Sequence, residues 1–130
     1  MAKRKILLVD DEVDFVELMT MRFEANGYEV ITANNGKDAL DRVKKDKPDA
    51  ILLDIMMPEM DGLTVLKNIR SEDARIPIFI TTAFSNEERV KTAVRYNANG
   101  FIVKTQDLGA EIKNITQAIE IAEKYKEKRG

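Results

Sequence analysis

Five short apolar runs, with amphipathic stretches between them, constrain what this chain can fold into more than any other feature. The first, Lys5-Ile6-Leu7-Leu8-Val9, is apolar without alternation and stops at Asp10-Asp11-Glu12, as a strand buried on both faces does. Tyr28-Glu29-Val30-Ile31-Thr32-Ala33, Ala50-Ile51-Leu52-Leu53, Ile78-Phe79-Ile80-Thr81-Thr82 and Phe101-Ile102-Val103-Lys104 read as four more strands. Between them apolar residues recur at helical spacing: Val13, Val16, Met19 and Phe23, then Ala39, Leu40 and Val43, then Leu63, Leu66 and Ile69, then Val90, Ala93 and Val94. Leu108, Ile112, Ile115, Ile119 and Ala122 close the chain with alternating steps of four and three. Punctuation agrees: Gly27 follows the first helix, Pro48 closes the second, and Ser85-Asn86-Glu87-Glu88 has the form of a capping box. The pattern predicts an α/β fold, a doubly wound five-stranded parallel sheet with five helices.

At 130 residues the chain suits one domain, residues 1–130, with a core from about 5 to 125. Residues 124–130 read as a polar helix end or the start of a linker. Acids number 23 and bases 21, a net charge of −2, which argues against direct nucleic acid binding by this chain. No apolar run reaches membrane-spanning length, and the stretch behind Met1 is too short for a signal peptide. A cytoplasmic location is therefore the default expectation. Absence of both Cys and His removes disulfide scaffolds, thiol redox chemistry, most zinc sites and imidazole-based catalysis.

In open α/β sheets a ligand sits beyond the carboxyl ends of the strands, where the winding reverses. With the flavodoxin-like order 2-1-3-4-5, that reversal falls between the first and third strands, bringing Asp10 and Asp11 toward Asp54. Each residue alone has a plainer role: Asp10 or Asp11 as a helix cap, Asp54 as a turn former, Thr82 as a loop-opening residue, Lys104 as a solvated side chain. Together they are an acid pair, an acid, a hydroxyl and a lysine at the ends of four strands. Clustered carboxylates call for a hard dication such as Mg²⁺ (or Mn²⁺). A lysine facing them with a hydroxyl nearby suits a site that stabilises charge on a transferring phosphoryl group.

Several segments carry a family resemblance: Ile6-Leu7-Leu8-Val9-Asp10-Asp11-Glu12, Leu52-Leu53-Asp54-Ile55-Met56-Met57-Pro58-Glu59-Met60-Asp61-Gly62, Thr82-Ala83, and Gly100-Phe101-Ile102-Val103-Lys104. In these the chain resembles the receiver domains of two-component response regulators, including the chemotaxis type, from Lys5 to about Tyr125. The resemblance implies Asp54 as phosphoacceptor, with Asp10, Asp11, Asp54 and the Met56 backbone carbonyl as metal ligands. Thr82 and Lys104 would bind phosphoryl oxygens, and Phe101 would turn inward as the switch. Phe101 reads equally as ordinary core when the resemblance is set aside. The implied donor is a phosphohistidine on a sensor histidine kinase or histidine phosphotransfer protein. The implied output is a face that engages a downstream protein or output domain, or a phosphorylation-dependent homodimer. Such a chain is a signalling switch that catalyses only its own phosphorylation and dephosphorylation, either free-standing or as part of a longer protein.

Two departures matter. A proline usually follows the lysine in the family, whereas Thr105 follows Lys104 here. A non-proline cis bond costs about 2.5–4 kcal/mol, so the Lys104-Thr105 peptide is expected either trans with an adjusted loop or cis under strain. Met56 and Phe84, each two residues past a site residue, are candidate gates that would slow attack by water on the phosphoaspartate. Three rivals remain. A flavodoxin-type electron carrier would place its flavin phosphate against the acidic Asp10-Asp11-Glu12 loop, and a haloacid-dehalogenase-type phosphatase wants Asp-x-Asp at the first strand. The third is a pseudo-receiver, an interaction module that works without phosphorylation.

Overall fold

In the computed structural model, residues 4–56, 61–73, 75–82, 87–104 and 112–121 are described. Strands β1 (Lys5–Val9), β2 (Glu29–Ala33), β3 (Ala50–Asp54), β4 (Ile78–Thr82) and β5 (Gly100–Val103) alternate with helices α1 (Val13–Ala25), α2 (Gly36–Asp46), α3 (Gly62–Glu72) and α4 (Glu87–Arg95). A fifth helix, α5, covers 112–121. The strands form one parallel sheet in the order β2-β1-β3-β4-β5, as expected. The expected strand limits shift slightly: Asp54 belongs to β3, while Tyr28 precedes β2 and Lys104 follows β5. Leu108, the Ser85-Asn86-Glu87-Glu88 capping box apart from the helical backbone of Glu87 and Glu88, and the tail 124–130 lie outside the described residues.

Each strand divides its side chains between two cores, because alternate residues point to opposite faces. Leu7, Val9, Ile51, Leu53, Ile78 and Ile80 meet Ala39 of α2, Leu63, Val65, Leu66 and Ile69 of α3, and Ala93 of α4. Ile6, Leu8, Ala50, Leu52, Phe79 and Ile102 meet Phe15, Met19 and Phe23 of α1 and Ile112, Ile115 and Ile119 of α5. Each fully buried aliphatic or aromatic side chain contributes roughly 1.5–3 kcal/mol against exposure.

Two helices are phased differently from the spacing first suggested. The buried stripe of α1 is Phe15, Met19 and Phe23 in steps of four, with Val16 packed at its edge, while Val13 is 68% exposed. In α4 Ala93 is buried but Val94 is exposed. The reason is the same in both: an apolar residue at the margin of a helix satisfies a loose three-or-four spacing without facing the sheet.

Local chemistry explains the element ends. Gly27 has φ +88° beyond α1, the left-handed conformation that glycine adopts without steric cost. Asn35 caps α2, its side chain accepting the Asp38 N–H at 2.8 Å, and Lys47 ends that helix in a left-handed conformation just before Pro48. At the rim of the sheet where β4 and β5 begin, Arg70 of α3 acts as a clasp. Its guanidinium donates to the carbonyls of Ile76 at 2.6 Å and Asn97 at 3.0 Å and to Asn99 Oδ1 at 2.9 Å. Asn99 Oδ1 in turn accepts the Ile78 N–H at 2.9 Å.

Candidate functional site

The site forms at the opposite rim, where the strands end. Val9 pairs with Leu53 as the last matched residues of β1 and β3, so Asp10 follows beside Asp54. Both continue the α1/α5 side of the sheet, after Leu8 and Leu52. The backbone holds them there: the Asp10 N–H donates to the Ala33 carbonyl at 3.1 Å, and on the other flank the Lys104 N–H donates to the Thr82 carbonyl at 2.9 Å. Each acid is oriented by a turn of its own. Asp10 Oδ1 accepts the Glu12 N–H and Asp54 Oδ1 accepts the Met56 N–H, both at 2.9 Å.

Behind Asp54 the packing leaves no spare room. A Cβ on Gly62 would strike the Asp54 carbonyl oxygen and the Ile55 Cα, so only glycine lets α3 begin this close to β3. Asp61 caps that helix by accepting the Leu63 N–H at 3.0 Å.

Asp10, Asp11 and Asp54 each bring a carboxylate oxygen within 4.8 Å of the others, Asp10 and Asp54 buried and Asp11 exposed. Lys104 points into this cluster, its side chain only 7% exposed. Its Nζ lies 2.8 Å from Asp10 Oδ2, 3.4 Å from Asp54 Oδ2 and 3.4 Å from Glu12 Oε1. Burial pushes the Asp10 carboxyl above its ordinary value and Asp54 adds to the rise; Lys104 and the Glu12 N–H pull the other way without cancelling it. Burial alone would lower Lys104, but the facing carboxylates of Asp10, Asp54 and Glu12 more than reverse that and hold it above its ordinary value.

One ammonium thus faces several acids and leaves the pocket short of positive charge. The donors are hard oxygens, a set that suits Mg²⁺ or Mn²⁺. The sequence-predicted acids and Lys104 therefore come together at a centre that can hold a divalent metal ion.

The remaining predicted residues border it. Thr82 is buried at the end of β4, on the side of the sheet away from Asp54, since it continues Ile78 and Ile80. Phe101 pairs with Ile80 and is 47% exposed, so the reading of this ring as ordinary core does not hold. Met56 is 59% exposed at the rim, beside Asp54 in sequence. Phe84 and the Lys104-Thr105 peptide lie outside the described residues.

Two residues at the site were given no role by sequence reasoning, Thr81 although it stands at a strand end and Phe15 altogether. Thr81 pairs with Asp54, and its buried hydroxyl has no hydrogen-bond partner among the described residues. The ring of Phe15 lies under Lys104, with Nζ 4.7 Å from its centroid. The available signal for Phe15 was an aromatic residue in the first turn after the acid pair.

Comparisons with known proteins bear on this geometry. The family model described as response regulator receiver domain matches residues 6–123. The alkaline phosphatase synthesis transcriptional regulatory protein PhoP of Bacillus subtilis is 37% identical over 122 residues, 92% of this chain and 51% of that protein. Regulatory protein AtoC of Escherichia coli is 36% identical over 128 residues, 98% of this chain and 28% of that protein. The chain therefore spans about half, or less, of the length of these curated relatives. In fold it is similar to the crystal structure of a CheY-like response regulator receiver domain protein from Methanospirillum hungatei. The TM-score is 0.90 at 22% identity, over 95% of this chain and 99% of that one.

Proposed function

The chain belongs to the response regulator receiver domain family of two-component systems, and from that premise we propose that Asp54 is its phosphoacceptor. Receiver domains of this family are signalling switches. An Asp54 carboxylate oxygen attacks the phosphorus of a phosphohistidine on a sensor histidine kinase or phosphotransfer protein. The P–O bond forms as the P–N bond breaks, and the electron pair returns to the imidazole nitrogen, which takes up a proton. In the reverse branch, water attacks the phosphorus, releasing inorganic phosphate and restoring the carboxylate.

The single observation that carries this reading is the convergence of Asp10, Asp11 and Asp54 within 4.8 Å on a buried lysine 3.4 Å from Asp54 Oδ2. Lys104 is placed to meet negative charge developing on the phosphoryl oxygens. Asp10, Asp11, Asp54 and the Met56 carbonyl would hold Mg²⁺ or Mn²⁺, which supplies charge neutralisation for an associative or dissociative transfer alike. The Met56 N–H occupies Asp54 Oδ1, so the two oxygens of the acceptor are not equivalent. Thr82, buried at the end of β4, would turn toward the phosphoryl group and bind its oxygens with Lys104. Phe101 would turn inward into the space it leaves, the switch that relays phosphorylation to a partner protein or output domain. Met56, exposed at the rim, fits a gate against water.

The test uses a small acyl phosphate with Mg²⁺ and intact mass. One phosphate should add to the wild type and none to Asp54→Asn. Equal incorporation into both, or none into the wild type, refutes the proposal and returns the chain to an interaction module that needs no phosphate.

A further inference from the structure

We infer that Phe15 is a positioning residue for Lys104: its ring is an electron-rich seat that holds the ammonium over the acid pocket. The inference rests on the reading of Asp54 as phosphoacceptor and adds to it a residue outside the acid, hydroxyl and lysine set. Lys104 Nζ lies 4.7 Å from the centroid of the Phe15 ring. Phe15 is 7% exposed and packs in the cluster that also contains Leu8, Met19 and Leu52, so the ring cannot swing away without disturbing the core. Leucine would fill much the same space and supply no negative face. An aromatic ring presents its quadrupole to a cation, and the attraction strengthens when water is excluded. At 7% exposure the Lys104 side chain meets that condition.

The seat has a purpose that the carboxylates cannot serve. Asp10, Asp54 and Glu12 attract the same ammonium, but they are also oxygens that a metal ion or a phosphoryl group engages. Attraction to the ring is independent of how those oxygens are shared. It keeps Lys104 in place, charged and dry, whatever the state of the acids.

Two measurements test this. In the metal-free wild type, the Lys104 ε-methylene protons should resonate upfield through the ring current of Phe15; Phe15→Tyr should retain the shift and Phe15→Leu should abolish it. Ordinary positions in the wild type overturn the inference, even where Phe15→Leu fails to fold. The second replaces Phe15 by phenylalanine carrying one, two or three ring fluorines, which withdraw electrons from the ring face while nearly preserving shape. The rate of phosphorylation by an acyl phosphate should fall stepwise, reaching roughly tenfold for the most fluorinated ring. An unchanged rate across the series overturns the seat. Should the wild type take up no phosphate, it is the phosphoacceptor reading that fails, and the Lys104 resonances alone decide the seat.

Discussion

Asp10→Asn should make the metal-free protein more stable, although it removes a 2.8 Å ion pair with Lys104. Unit charges 4.8 Å apart, the outer limit among the three acids, repel by roughly 3 kcal/mol at an effective dielectric near 20. The attraction of Lys104 at 2.8 Å is at least as large by the same rule. What tips the balance is therefore the burial of the Asp10 carboxylate, the largest cause of its raised pKa, while Lys104 keeps Asp54 and Glu12 as partners in the variant. We expect a net gain of about 1–2 kcal/mol, or a melting temperature higher by about 3–8 °C for a domain of this size. The sign follows from linkage. Burial and Asp54 raise the folded-state pKa of Asp10 above 3.8, so its stabilisation is complete below that unfolded value and is lost as pH rises through the folded one. Near neutral pH only the cost remains, and asparagine removes it. The advantage of the variant should therefore shrink on acidification. Urea unfolding in chelator and in Mg²⁺ is the assay. Saturation at a hundredfold above Kd stabilises a protein by about 2.7 kcal/mol, and Asp10→Asn should forfeit most of that increment. A variant less stable than wild type in chelator, or one with the full magnesium increment, refutes the reasoning.

Lys104 titrates in the opposite sense. Its folded-state pKa lies above 10.5, so it stabilises the fold below that value and the contribution is lost as pH rises through the folded one; Lys104→Met should lack this alkaline step in a stability profile. Gly62→Ala, whose Cβ meets the backbone of Asp54 and Ile55, should cost about 2–4 kcal/mol in urea unfolding and also slow phosphorylation, because β3 must move. Arg70→Lys should lose about 2 kcal/mol, since an ammonium cannot span the Ile76, Asn97 and Asn99 acceptors together; equal urea midpoints would remove the clasp from the account.

The sheet and the acid centre were legible because both are written in short, unambiguous stretches. Ile6-Leu7-Leu8-Val9 and Ile51-Leu52-Leu53 can be buried on both faces only as central strands, and the residue after each run then falls at the rim. Phe15 was illegible for a specific reason. Assigning Val13 to the inner face of α1 rotates the helix enough to turn Phe15 away from the sheet, and sequence spacing tolerates that choice while packing does not. Val94 misled in the same manner. The Arg70 clasp left no signature either, because most of its acceptors are backbone carbonyls, which every residue carries.

Thr81 and Thr82 are adjacent in the chain yet belong to opposite walls of the sheet, the first beside Asp54 and the second with Ile80 and the Phe101 row. The β-sheet is thus a partition: the acids, the lysine and Thr81 occupy one room, and Thr82 and the half-exposed Phe101 border the same rim from the other. The shortest covalent passage between them is one peptide unit, far shorter than any route through the packed helices. News of a reaction in the first room can reach the second around the end of a strand, and neither hydrophobic core has to be taken apart to deliver it.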